Sequence, residues 1–184
     1  MSKVYIFIAE GFEEIEALTV VDLLRRAEID ITMVSIMDSK KVTGAHGISI
    51  EAGALYNDVN FSHAEMLVLP GGMPGTKYLG EHEGLVTMLK SFNDKNKLIA
   101  AICAAPSVLG VNGILKGKKA TSYPGFEDKL VDAVISTDPV VVDQNIITSR
   151  GLGTAIFFAL KIIEKLKDED TSKAIAESII FTYW

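Results

Sequence analysis

Short, wholly apolar runs alternate with amphipathic stretches along the chain, and that alternation predicts the architecture before any single residue is considered. "KVYIFIA" is β-branched and aromatic and ends at Gly11, which predicts a buried strand. "FEEIEALTVVDLLRRA" follows without Gly or Pro, with acids in its first turn and Arg25 and Arg26 in its last, as the helix dipole favours. "DITMVSIM" repeats the strand signal, and the Gly-punctuated "VTGAHGISIEAG" predicts a small hairpin. "EMLVLPGG" is a further buried strand, stopped at Pro70-Gly71-Gly72. A polar helix is predicted from about Glu83 to Lys95, then the strand "LIAAIC" and a short helix starting near Ala104. "ATSY", "VVVDQNIITS" and two helices, "TAIFFALKIIEKLK" and "TSKAIAESIIF", complete the series. Strands rich in Val, Ile and Leu, separated by helices, predict a doubly wound α/β fold with a mostly parallel sheet covered on both faces.

In such a sheet ligands bind where strands end and helices begin. Those points are Ala9-Glu10-Gly11, Pro70-Gly71-Gly72, Cys103 and Ser149-Arg150-Gly151. Cys103 is the single cysteine, and it follows a strand directly in the frame Ala101-Ile102-Cys103-Ala104-Ala105. That frame matches the small-x-nucleophile-x-small pattern of a nucleophile elbow, because a sharp strand-to-helix turn tolerates only small flanking side chains. Pro106 suits the first helical turn, where its missing N–H costs nothing. A thiol placed there meets unpaired backbone N–H groups and a helix N-terminus, so a lowered pKa is expected. The competing reading is a packed core cysteine, since free cysteine is among the most buried residue types.

Glu16, Val20, Leu23 and Ala27 share one helix face by their spacing, which buries Glu16 among apolar side chains. A buried carboxyl without a cationic partner has a raised pKa and can exchange protons with a thiol or a substrate. A first-turn acid satisfied by the helix dipole is the alternative, and it also accounts for Glu13 and Glu14. His46, His63 and His82 fall in turn-rich or polar stretches and have no metal-ligand spacing. "GLGT" at Gly151 to Thr154 lacks the third glycine of a dinucleotide fingerprint, and Arg150 suits an anion or a structural ion pair. No metal is expected.

Composition narrows the function classes. A length of 184 residues predicts one domain over 1–184, and 48% hydrophobic with 23% charged residues is ordinary for a globular chain. A net charge of -6 without Lys or Arg clusters argues against nucleic acid and anionic membranes. No apolar run reaches the roughly 20 residues of a membrane span. The start reaches acidic residues at once, so no secretory leader and a cytoplasmic location are expected.

Taken together, "EGFEEIEALTVVDLLRRA", "LVLPGGMPG", "LIAAICAAPSVL" and "ITSRGLGTA" resemble the ThiJ/PfpI superfamily, most closely its DJ-one-like branch. The resemblance implies a flavodoxin-like fold with Cys103 as the reactive cysteine and Glu16 as the acid that contacts it. Gly72 and Ala104 would supply backbone N–H groups to an oxyanion hole, with Gly71 and Tyr123 accessory. It further implies a homodimer and a cofactor-independent enzyme acting on small reactive carbonyls, of glyoxalase or deglycase type. The alternatives are a redox sensor or chaperone that works by oxidation of Cys103, and a cysteine peptidase or amidase. The superfamily often has histidine where "TSYPG" has Tyr123, and a phenol is a poor base at neutral pH. That departure weighs against the peptidase.

Overall fold

The computed structural model describes residues 3–182, so the two residues at each end of the predicted 1–184 domain lie outside the described region. The chain opens with β1 (Lys3–Ile8), α1 (Glu14–Arg26) and β2 (Asp30–Ser35). The hairpin β3 (Lys41–Thr43) and β4 (Ser49–Glu51) follows, then β5 (Ala54–Leu55) and β6 (Met66–Leu69). Next come α2 (Gly75–Glu81), α3 (Glu83–Asp94), β7 (Leu98–Ile102), α4 (Pro106–Val111) and β8 (Lys119–Ala120). The chain closes with β9 (Val134–Ile135), β10 (Val140–Asp143), β11 (Ile146–Ser149), α5 (Ala155–Leu166) and α6 (Glu169–Ser178).

Seven strands form one sheet in the order β10-β11-β7-β6-β1-β2-β5. All neighbours run parallel except β10 against β11. Side chains alternate between the faces, and each face has its own core. Ile6, Ile8, Ala100 and Ile102 pack under α1, α5 and α6, whereas Phe7, Leu67, Leu69 and Ala101 pack under α2, α3 and α4. This is the flavodoxin-like, doubly wound arrangement that the pattern predicts.

Two elements differ from the sequence reading. "VVVDQNIITS" is not one strand but the antiparallel pair β10 and β11, turning at Gln144, whose φ of 53° reverses the chain. The turn falls at Asp143-Gln144-Asn145 and is made without glycine or proline. Residues Gly75–Glu81 form α2, unseen because Pro74 and Gly75 at its start and Gly80 near its end read as turn. α4 begins at Pro106, two residues later than Ala104, which leaves residues 103–105 to make the bend. Among the described residues no helix is long and apolar enough to cross a membrane.

Candidate active site at the end of β7

β7 lies between β6 and β11, and its last residue delivers the chain to Cys103 at the carboxyl edge of the sheet. Cys103 has φ 64°, in the left-handed region that non-glycine residues seldom enter. Its N–H donates to Ser149 O at 3.0 Å, and its carbonyl accepts from Tyr123 N–H at 2.8 Å. Anchored on both sides, the residue is held in a conformation costing on the order of 1 to 3 kcal/mol, and its side chain is turned out of the strand. The thiol is half-buried.

The opposite wall is the first turn of α1. Glu13 caps that helix, its Oε2 accepting the Glu16 N–H at 2.7 Å. Glu16, Val20, Leu23 and Ala27 are all buried, as their common face predicts. Glu16 Oε2 accepts the Gly71 N–H at 2.9 Å, and its carboxyl hydrogen-bonds with the Cys103 thiol. Oε1 has no N–H or O–H partner among the described residues. Gly71 lies between acid and thiol: a Cβ there would be 2.5 Å from Cys103 Cβ and 2.8 Å from Glu16 Oε2. The backbone N–H groups of Gly72 and Ala104 both reach the sulfur. Cys103, Glu16, Gly71, Gly72 and Ala104, drawn from β7, α1, the turn after β6 and the start of α4, are thus assembled at one point.

Burial, its largest cause, pushes the Glu16 carboxyl up to about 7 against the Gly71 and Cys103 hydrogen bonds, and the Glu13 charge adds to the rise. Cys103 is also pushed up, to about 12, first by burial and then by the Glu16 charge and hydrogen bond. The Ala104 and Gly72 N–H groups oppose that rise without cancelling it. The lowered thiol pKa expected from the sequence is therefore reversed. α4 spans only 6 residues, so its dipole is small, and it competes with desolvation and a neighbouring carboxylate. Once Glu16 ionises, above about 7, the pair holds one proton, and it sits on sulfur, positioned for transfer to the carboxylate.

Tyr123 is half-exposed, and its ring lies 3.2 Å from where a Cβ on Gly151 would sit. The same position is 3.8 Å from Glu16 Oε1. Tyr123, Arg150, Gly151 and Leu152 line a cleft of about 290 Å³ whose floor therefore backs onto Glu16. Arg150 donates to Thr137 O at 3.2 Å, a structural contact. None of the histidines hydrogen-bonds to Cys103: His82 caps α3 by accepting Leu85 N–H, and His46 lies against Glu14. The Glu14–His46 contact spans 32 residues, a separation at which sequence spacing carries no signal.

The sequence matches the DJ-1/PfpI family over residues 2–165. It is 36% identical over 179 residues to Protein DJ-1 homolog B of Arabidopsis thaliana, covering 97% of this chain but only 41% of that protein. The chain thus spans less than half the length of that relative. It is 31% identical to the glutathione-independent glyoxalase DJ-1 of Schizosaccharomyces pombe, covering 97% of this chain and 98% of that one. The solved structure of oxidized Toxoplasma gondii DJ-1 superposes with a TM-score of 0.95 at 38% identity, over 100% of both chains.

Proposed function

The chain belongs to the DJ-1/PfpI family, and from that premise we propose that it is a cofactor-independent enzyme of glyoxalase or deglycase type. The observation that carries this reading is the Glu16 carboxyl, buried, raised to about 7 and hydrogen-bonded to a thiol at a strained elbow. Such a carboxyl exchanges protons at neutral pH. In the proposed reaction Cys103 sulfur attacks the aldehyde carbon of a 2-oxoaldehyde such as methylglyoxal while its proton passes to Glu16. The resulting alkoxide is held by the Gly72 and Ala104 N–H groups and takes that proton from Glu16, giving a hemithioacetal and leaving Glu16 as the carboxylate. Glu16 then removes the hydrogen from that carbon and returns a proton to the adjacent one, so that the carbonyl moves and a thioester of the hydroxy acid remains. Water cleaves the thioester, releasing the acid and restoring the thiol.

The relative named as a glutathione-independent glyoxalase supports the reading. The homodimer belongs to the same reading and is supported by Ile15 and Ile48, both exposed beside the first turn of α1. A cytoplasmic location also remains part of it. A peptidase is disfavoured, because no histidine among the described residues contacts Cys103 to act as base and acid for an amine leaving group.

Redox sensing is the second reading, favoured by the oxidized state of the Toxoplasma relative. With no other cysteine to form a disulfide, a Cys103 sulfenate formed by one peroxide would be oxidised by a second to sulfinate, each peroxide being reduced to water or alcohol, with protonated Glu16 as the hydrogen-bond donor to the sulfinate. The test is steady-state turnover of methylglyoxal without glutathione by the wild type, Cys103→Ser and Glu16→Gln, with D- and L-lactate assayed separately. Repeated turnover to a single stereoisomer, lost in both variants, is the expected result. Consumption of about one equivalent, or racemic product at the rate of a free thiol, would overturn the enzyme and leave the sensor.

A further inference from the structure

The elbow that carries Cys103 is held from a third side, by a residue with no part in the reaction written above. Two successive peptide planes meet at Ala104. The plane between Cys103 and Ala104 carries the N–H that reaches the sulfur, and its oxygen accepts the Tyr123 N–H at 2.8 Å. The plane between Ala104 and Ala105 has its oxygen held twice by one residue, Ser107, whose N–H donates to it at 3.1 Å and whose Oγ donates at 2.6 Å. With both planes pinned, Ala104 cannot rotate between them, and its N–H keeps its aim.

Ser107 is the one polar side chain in the buried turn Pro106 to Gly110, and it is 7% exposed. A serine that bonds back three residues inside a helix merely satisfies its own hydroxyl. Here the acceptor lies outside the helix: α4 begins at Pro106, so the Ala104 oxygen belongs to the bend made by residues 103–105. The hydroxyl therefore ties the bend to α4, which Val108 and Leu109 anchor in the core. The backbone around it closes by bonds over three residues, Ala105 N–H to Ile102 O at 3.0 Å and Val108 N–H to Ala105 O at 2.9 Å. Turns of that kind have poorer hydrogen-bond geometry than an α-helix, so an added side-chain bond stiffens them.

We propose that Ser107 is a positioning residue for the oxyanion hole, acting through the Ala104 carbonyl to hold the Ala104 N–H on the sulfur and on the alkoxide that forms beside it. The alkoxide belongs to the enzyme reading, on which that half of the role rests; the contact with sulfur exists without it. Donors fixed in advance stabilise a developing anion without reorganising, and a donor that rocks loses part of that effect. Removing an oxyanion-hole donor outright costs about 10²- to 10³-fold in kcat, so loosening one should cost less, roughly tenfold. The loss should fall on kcat with KM unchanged, because the alkoxide exists only beyond the bound substrate.

The experiment compares Ser107→Thr with Ser107→Val, two side chains of one shape that differ by the hydroxyl. Ser107 borders a groove of about 300 Å³ between α2 and α4, which leaves room for the added methyl groups. Ser107→Ala, which only removes an oxygen, guards against overfilling. Three quantities are measured on each full chain: methylglyoxal kinetics, the rate of Cys103 alkylation by iodoacetamide at one mildly alkaline pH, and the urea unfolding midpoint. The expected result is a roughly tenfold lower kcat at constant KM and slower alkylation in Ser107→Val and Ser107→Ala, with both restored in Ser107→Thr. Equal behaviour of the Thr and Val variants, a change in KM in place of kcat, or a shifted unfolding midpoint with unchanged alkylation would each overturn the proposal. If the wild type shows no repeated turnover, the enzyme reading fails by itself, and the alkylation rates of the three variants still decide the role of Ser107.

Discussion

Glu14 and Glu16 stand two residues apart in the same helical turn and are equally hidden, each 1% exposed, yet their acidities diverge. Burial raises both. Around Glu14 the His46 side chain and the backbone N–H groups of Glu14, His46 and Ile48 outweigh it, and the carboxyl is held below its usual value. Around Glu16 only the Gly71 N–H and a weak thiol donor oppose burial, and the group rises to about 7. The depth of protein around a carboxyl and the number of donors facing it together decide whether it stays an anion or becomes a proton carrier. One turn of helix thereby supplies a fixed anion to the hairpin and a titrating acid to the thiol.

The strongest way to break this contrast is Glu16→Gln. An amide keeps the Gly71 contact but has no titratable proton to exchange, so methylglyoxal turnover should drop by about 10²- to 10⁴-fold. Stability should move the other way. Unfolded Glu16 titrates at 4.5 and folded Glu16 near 7, so the folded state holds the extra proton between those values and stability falls as pH rises through the window. The full loss is about 3 kcal/mol at 1.36 kcal/mol per pH unit, and denaturant unfolding of Glu16→Gln should be flat over the same range. Turnover by the wild type should rise with pH through about 7, as the carboxylate that accepts the thiol proton forms.

Gly71→Ala is the next largest. The added methyl would lie 2.5 Å from Cys103 Cβ and 3.0 Å from its sulfur, forcing thiol and acid apart. A displacement near 1 Å costs about 10²-fold in rate, so kcat should fall steeply while the protein still unfolds cooperatively. Smaller again is Glu14→Ala, which leaves the His46 and Ile48 N–H groups without their acceptor. Its effect of about 2 kcal/mol should appear in the unfolding midpoint. A comparable loss from Glu14→Ala in turnover rather than stability would erase the division of labour between the two glutamates.

The legible parts of this molecule were those written within about a dozen residues. The spacing of Val20, Leu23 and Ala27 declared the buried face that carries Glu16, and the small residues around Cys103 declared the elbow. Partners distant in the chain left no such trace: Gly71 meets Glu16 across 55 residues and Glu14 meets His46 across 32. The thiol pKa was misjudged for a related reason. Helix position is a local property, whereas desolvation and the Glu16 charge arrive only with the assembled fold. The turn between antiparallel β10 and β11 carries no glycine or proline, only Gln144 at positive φ and Asn145, so no standard turn signal marks it.

The placement of β7 between β6 and β11 also governs how the molecule breathes. The Leu98–Ile102 backbone pairs on both sides and is covered by helices on both faces, so its amide hydrogens should exchange with solvent only on global unfolding. The β3–β4 hairpin pairs only with itself within its small sheet, and fluctuations there open at far lower free energy. Cys103 thus hangs from the slowest-exchanging strand while His46 sits in the turn of a fast-exchanging hairpin. Agents that loosen the hairpin would reach His46 long before they disturbed the thiol.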